Sequence, residues 1–518
     1  MIRTDLVRRI AVRRDLGYVR GPLIAPYRPD RRYPELSAIS PVTAPNGTYH
    51  AVRDTFRLWH PERSSAIDRE FSPLSPHIEP GMRVAVKPNF VLHTHPDGDA
   101  AMRATVTDAA VLRVVLDYIA LALRGSGTIT IAESPIRMTD FQALVRWNGL
   151  DLVLDDISST WKVSVELIDV RDQVVADAQS FHASLRVRHQ AGDPRGGVQV
   201  DLADQSAFEA VRDSMHRLRS TAAVGRNEAW DQHQPGRHVY EFSRSILDAD
   251  AIVSVPKLKT HKKAGITGAM KNFVGAVIRK EWLPHHRRGA PSVGGDEFAD
   301  DIDASLRLRE WAKDVHSQSR FGRRLVNPSV WLYRHTIKDT VLDFARVRHQ
   351  SPMTNGGWSG NDTCWRMVHD LYRAVLYGRS DGSLRRERQR LPLTIVDGLV
   401  AGEGDGPLRP DPRNAGILMI GYDAPWLDYF GALLMGYEPG KIPQISHAVD
   451  PKAPLPLTTM TRWEVDLQCE PSDLADTLGR NIPTAEAFVP PAGWARHLLG
   501  QEMFERAMKR QSRGSRDY

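Results

Sequence analysis

The stretch RVAVKPNFVLHTHPDGDAAMRATVTDAAVLRVVLDYIALALRGSGTITIA, residues 83–132, decides the fold. Arg83 to Val86 is a short apolar run that stops at Lys87-Pro88-Asn89, as a buried strand does. Thr105 or Thr107 can cap a helix that runs to Arg124, with Leu112, Leu116, Ile119 and Leu123 on one face and Gly125 as its stop. Thr128 to Ala132 then reads as a second strand. A strand, helix, strand unit of this kind closes as a right-handed crossover between parallel strands. The expectation is an α/β fold: a mostly parallel sheet with helices on both faces.

Three further apolar runs, Ala251 to Val255, Leu393 to Val396 and Ile417 to Ile420, have the unbroken character of strands covered on both sides. Two long, partly helical insertions interrupt them, at about 170–245 and at 281–390. The predicted organisation is an irregular extension over 1–80, a first α/β part over 81–280 with its insertion, an Arg- and Trp-rich helical insertion over 281–390, a second α/β part over 391–490, and a C-terminal helix with a basic tail over 491–518.

Composition narrows the class. The 518 residues are 41% hydrophobic and 25% charged, the profile of a globular chain and not of a disordered one. A net charge of +6 on a chain this long does not call for specific nucleic-acid binding, and it leaves a small anionic ligand as the expected partner. Cys364 and Cys469 are the only cysteines, which gives no basis for a disulfide framework, a Cys-based zinc site or an iron-sulfur cluster and suits the cytoplasm. The longest apolar stretch, Val111 to Leu123, is broken by Asp117 and too short to be a transmembrane segment, so a soluble cytoplasmic protein without a signal peptide is expected.

Charged groups follow each strand: Lys87 and Asn89, Glu133, Lys257 and Lys259, Asp397, and Asp423. Open parallel sheets bind ligands outside the carboxyl ends of their strands, so these groups are expected to meet at one crevice. The sharpest segment is KLKTHKKAGITGAMKNFVGAVIRK, residues 257–280, which holds six of the 13 lysines of the chain. It reads as a loop followed by a glycine-rich helix entry at Gly265 and Gly268, where free amides, Lys257, Lys259, Lys271 and Asn272 would hold a phosphate or carboxylate. A solvated basic face is the other account of such a run. Lys259, Lys262 and Lys263 disfavour protonation of His261, which suits that residue to general-base work or to metal ligation. His93 with His95, and His285 with His286, lack a third ligand at a recognised spacing.

The loop DGLVAGEGDGP, residues 397–407, sets Asp397, Glu403 and Asp405 among four glycines. Oxygen ligands on a pliant backbone favour a hard cation such as Mg2+, and an ordinary surface turn is the alternative. Downstream, Asp423 is expected to cap a helix over Ala424 to Met435.

Five segments, VAVKPNF (84–90), ITIAES (129–134), ADAIVSVPKLKTHKKAGITGAMKNFVG (249–275), IVDGLVAGEGDGP (395–407) and GYDAPWLDYFGALLMGY (421–437), resemble the family called domain of unknown function 362. Some members carry ferredoxin-like iron-sulfur segments, and two cysteines are too few for one here. A fainter similarity is to the amino-terminal domain of nickel-dependent lactate racemases. It implies Lys271 as the covalent anchor of a nucleotide-derived cofactor and His261 as a nickel ligand, with His285 or His286 further on. Three functions follow: an enzyme with catalytic His261 and Lys271 acting on an anionic ligand beside a divalent metal, a racemase- or epimerase-like enzyme using the nickel cofactor, and a non-catalytic binding or scaffold protein whose basic loop docks an acidic partner.

Overall fold

The computed structural model describes residues 4–15, 17, 23–60, 70–75, 77–175, 187–221, 228–302, 307, 355–484, 486–500, 502–503 and 505–506. Nine of its strands carry the architecture: β1 (Arg9–Arg14), β2 (Arg83–Pro88), β3 (Thr128–Glu133), β4 (Ser164–Asp169), β5 (Ala251–Val255), β6 (Lys257–His261), β7 (Leu393–Glu403), β8 (Asp411–Gly421) and β9 (Asp466–Glu470). Along the sheet they run β9-β1-β8-β7-β5-β2-β3-β4, with β6 paired to β7 and to the short strand Gly265–Ile266. The five strands from β7 to β4 are mutually parallel, and β8 closes onto β7 antiparallel. The expected α/β fold, mostly parallel, is what forms.

Chain order gives the sheet its functional edge. From β2 the chain steps outward through β3 to β4, then returns to the other flank of β2 as β5 and continues to β7. The direction of winding therefore reverses between β2 and β5. In doubly wound sheets that reversal opens a crevice at the carboxyl ends of the two strands.

Both faces are covered. Val84, Val86, Ile129, Ile131, Val253 and Ile395 pack with α1 (Gly47–Trp59), α3 (Ala109–Leu123), α4 (Phe141–Asn148) and α5 (Leu150–Trp161). Their alternates Ala85, Ala132, Ile252, Val396 and Met419 pack with α6 (Cys364–Tyr377) and α7 (Ala424–Leu434). Alternation along each strand sends every second side chain to each core.

Several boundaries differ from the sequence reading. The first eighty residues are not irregular throughout, since β1 lies inside the main sheet and α1 on its core. The helix predicted from Thr105 or Thr107 to Arg124 forms as α3, but its cap is Asp108, which accepts from the Ala110 amide, and a separate helix, α2 (Asp99–Thr105), precedes it. Thr107 is used otherwise: its hydroxyl donates to the Val255 carbonyl at 2.7 Å and accepts from the Asn89 amide. The lysine segment opens as a strand, β6, and the glycine-rich acidic segment is largely the second half of β7. Asp423 caps α7 as expected, accepting from the Trp426 amide at 3.1 Å. The stretches 81–280 and 391–490 contribute to one sheet. In the first insertion Gly197–Asp201, His233–Gln234 and Arg237–Ser243 form a small antiparallel sheet. Most of 303–354 and of the basic tail lies outside the described residues.

Candidate functional site

β5 reaches the sheet edge at Val255, and after Pro256 the chain re-enters the sheet as β6 beside β7, with Lys257 opposite Asp397. Because β6 alternates, Lys257, Lys259 and His261 share one face, while Leu258 joins the core opposite. All three are buried. Buried cations need partners, and the structure supplies them from distant segments.

Lys257 Nζ stands 2.7 Å from Asp397 Oδ2, which also accepts from the Asp108 amide. Burial raises the Asp397 carboxyl above its ordinary range despite Lys257. Lys259 meets no carboxylate; its amine donates to Asn89 Oδ1 at 2.9 Å and to the Thr105 carbonyl. Burial, and then the charge of Lys257, holds the Lys259 amine well below the usual lysine range. At the other flank of the crevice Lys87 pairs with Glu133 at 2.7 Å, and Glu133 also accepts from the Phe90 and Ser134 amides.

Asn272 spans the winding reversal. Its Nδ2 donates to the Lys87 carbonyl and to Ser254 Oγ, both at 2.9 Å, and its Oδ1 accepts from Asn89. Of the expected ligand-binding set, Lys87 is thus committed to Glu133, Lys257 to Asp397, and Lys259 and Asn272 to Asn89, and together they build the frame of the site.

The glycines are committed too. Gly265 and Gly268 both have positive φ, and a methyl at either would meet protein: Ile442 and Trp494 at Gly265, the Asp428 carboxylate at Gly268. The helix entry expected there is a seven-residue 3-10 helix, Met270–Ala276. Its anion is internal. Asp428 of α7 accepts from the Ala269 amide, and from the Met270 amide at 3.2 Å, and burial raises its carboxyl to about 7. The amides read as free for a ligand are therefore already answered.

Lys271 is different. It is 6% exposed and has no hydrogen-bond or ion-pair partner among the described residues. His261, also 6% exposed, feels burial first, then the charges of Lys271 and Lys263, and is held well below the ordinary histidine range. Lys263 and Lys280 complete the cluster. Each donates to a backbone carbonyl, of Asn355 and Val274, and burial lowers each to about 7. His285 belongs here as well, with Lys263 and Lys271 adding to burial to depress it. The sequence placed Lys263 beside His261 and offered His285 or His286 with Lys271 only through the racemase resemblance; Lys280, inside the lysine-dense segment 257–280, was assigned no role.

The expected metal set does not assemble. Asp397 turns to Lys257, Glu403 accepts from Arg413 at 3.1 Å and from the Val489 amide, and exposed Asp405 accepts from the Ala492 amide. Among the described residues no three His, Cys, Asp or Glu side chains group as metal ligands. Lys271 and Lys263 bear on His261, and positive charge there opposes a bare divalent ion. Among the described residues these side chains do not offer a ligand set for Mg2+ or Ni2+.

Residues 202–432 match the family model described as Domain of unknown function (DUF362), as the motifs implied. The chain is also similar to the thylakoid-associated protein sll1697 of Synechocystis sp., 23% identical over 205 residues. That similarity covers 40% of this chain and 38% of the relative's own length. Among the described residues no helix is long and apolar enough to cross a membrane.

Proposed function

We propose that this chain, whose residues 202–432 carry the DUF362 domain, is a cytoplasmic enzyme that binds a small phosphate- or carboxylate-bearing ligand at Lys271 and transfers protons through His261. One observation carries the reading. Where the neighbouring polar side chains are committed to partners within the protein, Lys271 is buried and has no hydrogen-bond or ion-pair partner among the described residues, and Lys263, Lys280 and Lys259 share its field. The neighbouring carboxylates are taken, Glu133 by Lys87 and Asp397 by Lys257, so an entering anion would be the partner that Lys271 lacks. Lys87 with Glu133 and Lys257 with Asp397 hold the walls. Such a pattern of perturbed titratable groups around a strand-end crevice marks functional sites more often than structural ones.

Pyrophosphate and citrate serve as probes of the two anion types in thermal shift and calorimetry. Stabilisation by either, weakened at least tenfold in affinity by Lys271→Gln at unchanged unliganded melting temperature, supports the reading. No response to either probe removes it. A docking protein without catalysis, the remaining alternative, would keep salt-sensitive partner binding in His261→Ala, because that change leaves every lysine in place.

A further inference from the structure

His261 and His285 are oriented by the backbone in opposite senses. The Lys263 amide donates to His261 Nδ1 at 3.0 Å, so that nitrogen carries a lone pair and the neutral ring has its proton on Nε2. His285 Nδ1 lies 2.8 Å from the Leu283 carbonyl, which can only accept, so its proton sits on Nδ1 and Nε2 carries the lone pair. Neither assignment depends on a choice of hydrogen placement, because each partner is a backbone group of fixed polarity. The charge of His285 acts on His261, and Lys271 and Lys263 act on both.

We infer that His285 Nε2 is a general base and His261 Nε2–H its hydrogen-bonding electrophile, and that together they enolise an anionic substrate bearing a carbonyl next to a C–H. The assignment rests on the anion-binding reading above, since the lysines must hold the charged end. His285 Nε2 takes the proton from carbon, the C–H electron pair becomes the carbon-carbon double bond, and the carbonyl π pair moves to oxygen. His261 donates its Nε2 hydrogen to that oxygen, and Lys271 offsets the charge formed there. Return of the proton, or of a solvent deuteron, from His285 Nε2 to the same carbon restores the carbonyl and completes an exchange, with no oxidant or reductant needed. Burial and the lysines keep both rings neutral, the state in which one offers a lone pair and the other an N–H. A neutral imidazole polarising a carbonyl beside a separate base is an established way to run such chemistry, and acid-base groups of this kind contribute about 10²–10⁴-fold.

The test is deuterium exchange in D2O followed by proton NMR, with dihydroxyacetone phosphate as the phosphate-bearing probe and pyruvate as the carboxylate-bearing one. The expected result is loss of the signal next to the carbonyl, for at least one probe, faster than in a protein-free control. His285→Gln should slow it about 100-fold or more and His261→Gln about 10-fold or more, with the melting temperature and pyrophosphate affinity of each variant unchanged. Exchange that persists in His285→Gln overturns the assignment. Protein that binds pyrophosphate yet exchanges neither probe overturns this inference alone, whereas protein that binds no anion overturns the site reading with it. If a histidine variant fails to fold, His285→Asn and His261→Asn carry the same comparison.

Discussion

Lys257 and Asp397 face each other across β6 and β7, paired at 2.7 Å with both side chains sealed from solvent. The pair explains how a strand with two lysines can run through the interior, and it fixes the register of β6 on β7. Asp397→Asn should cost about 3–5 kcal/mol, the usual penalty for leaving one member of a buried pair uncompensated. Lys257→Met with Asp397→Leu should cost less than either single change. Urea unfolding of the three variants measures this, and additive losses would mean that the pair is not coupled.

Gly275 lies flat on the other pair. A methyl there would overlap Glu133 Oε1 and Lys87 Nζ, so Gly275→Ala should push the two apart. The expected loss is again about 3–5 kcal/mol, compared with a few tenths for an exposed alanine. A melting temperature within two degrees or so of wild type would show that the pair can shift to admit the methyl.

Two buried groups titrate near neutrality with opposite effects. The Lys263 amine falls from 10.5 to about 7 on folding, so the unfolded chain binds the extra proton between those values and stability rises with pH across them. Its contribution is complete above 10.5 and disappears as pH falls through about 7. Asp428 rises from 3.8 to about 7, so its contribution is complete below 3.8 and disappears as pH rises through about 7. Lys263→Met should flatten the alkaline slope, and Asp428→Asn the acidic one, each by up to about 1.4 kcal/mol per pH unit. Urea unfolding at intervals from pH 5 to 10 reads both slopes, and an unchanged profile in either variant contradicts its assignment.

Anion binding should draw protons into the site. Lys263 and Lys280, both lowered to about 7, become fully charged beside a bound anion. At pH 8 the heat of pyrophosphate binding should therefore depend on the ionisation enthalpy of the buffer. Equal heats in phosphate-free buffers of different ionisation enthalpy would show that no proton is taken up.

The sheet was legible where strands are apolar: β5 begins and ends where the run AIVSV does, and β2 and β3 each extend only one or two residues beyond the predicted ends. Charged strands were not. Lys-Leu-Lys-Thr-His alternates as a strand should, but it read as a loop because the partner that lets Lys257 be buried lies 140 residues away. The run after Val396 read as a loop for a related reason. Its glycines serve close packing, with Gly398 against Leu258 and Ile417 and Gly402 against Lys259 and Pro410. The site showed the same division. Lysine density singled out the segment on which the buried lysine cluster is built, whereas the internal anion, Asp428, could not be inferred from a segment 159 residues distant. His285 was offered only as half of a histidine pair and as one of two positions in the racemase resemblance; the orientation of its ring comes from the Leu283 carbonyl.

The position of β1 has a bearing on biosynthesis. Arg9–Arg14 pairs antiparallel with β8 and parallel with β9, both of which leave the ribosome long after it. The parallel centre can associate as it is translated, but this early segment must wait, with its amide edge bare, for its neighbours to emerge. Arg13 and Arg14 at its end are the kind of charged flank that discourages such a waiting edge from joining a foreign one. Premature termination before β8 would leave that segment without a seat, and the nascent chain would depend on chaperones for as long as it remained so.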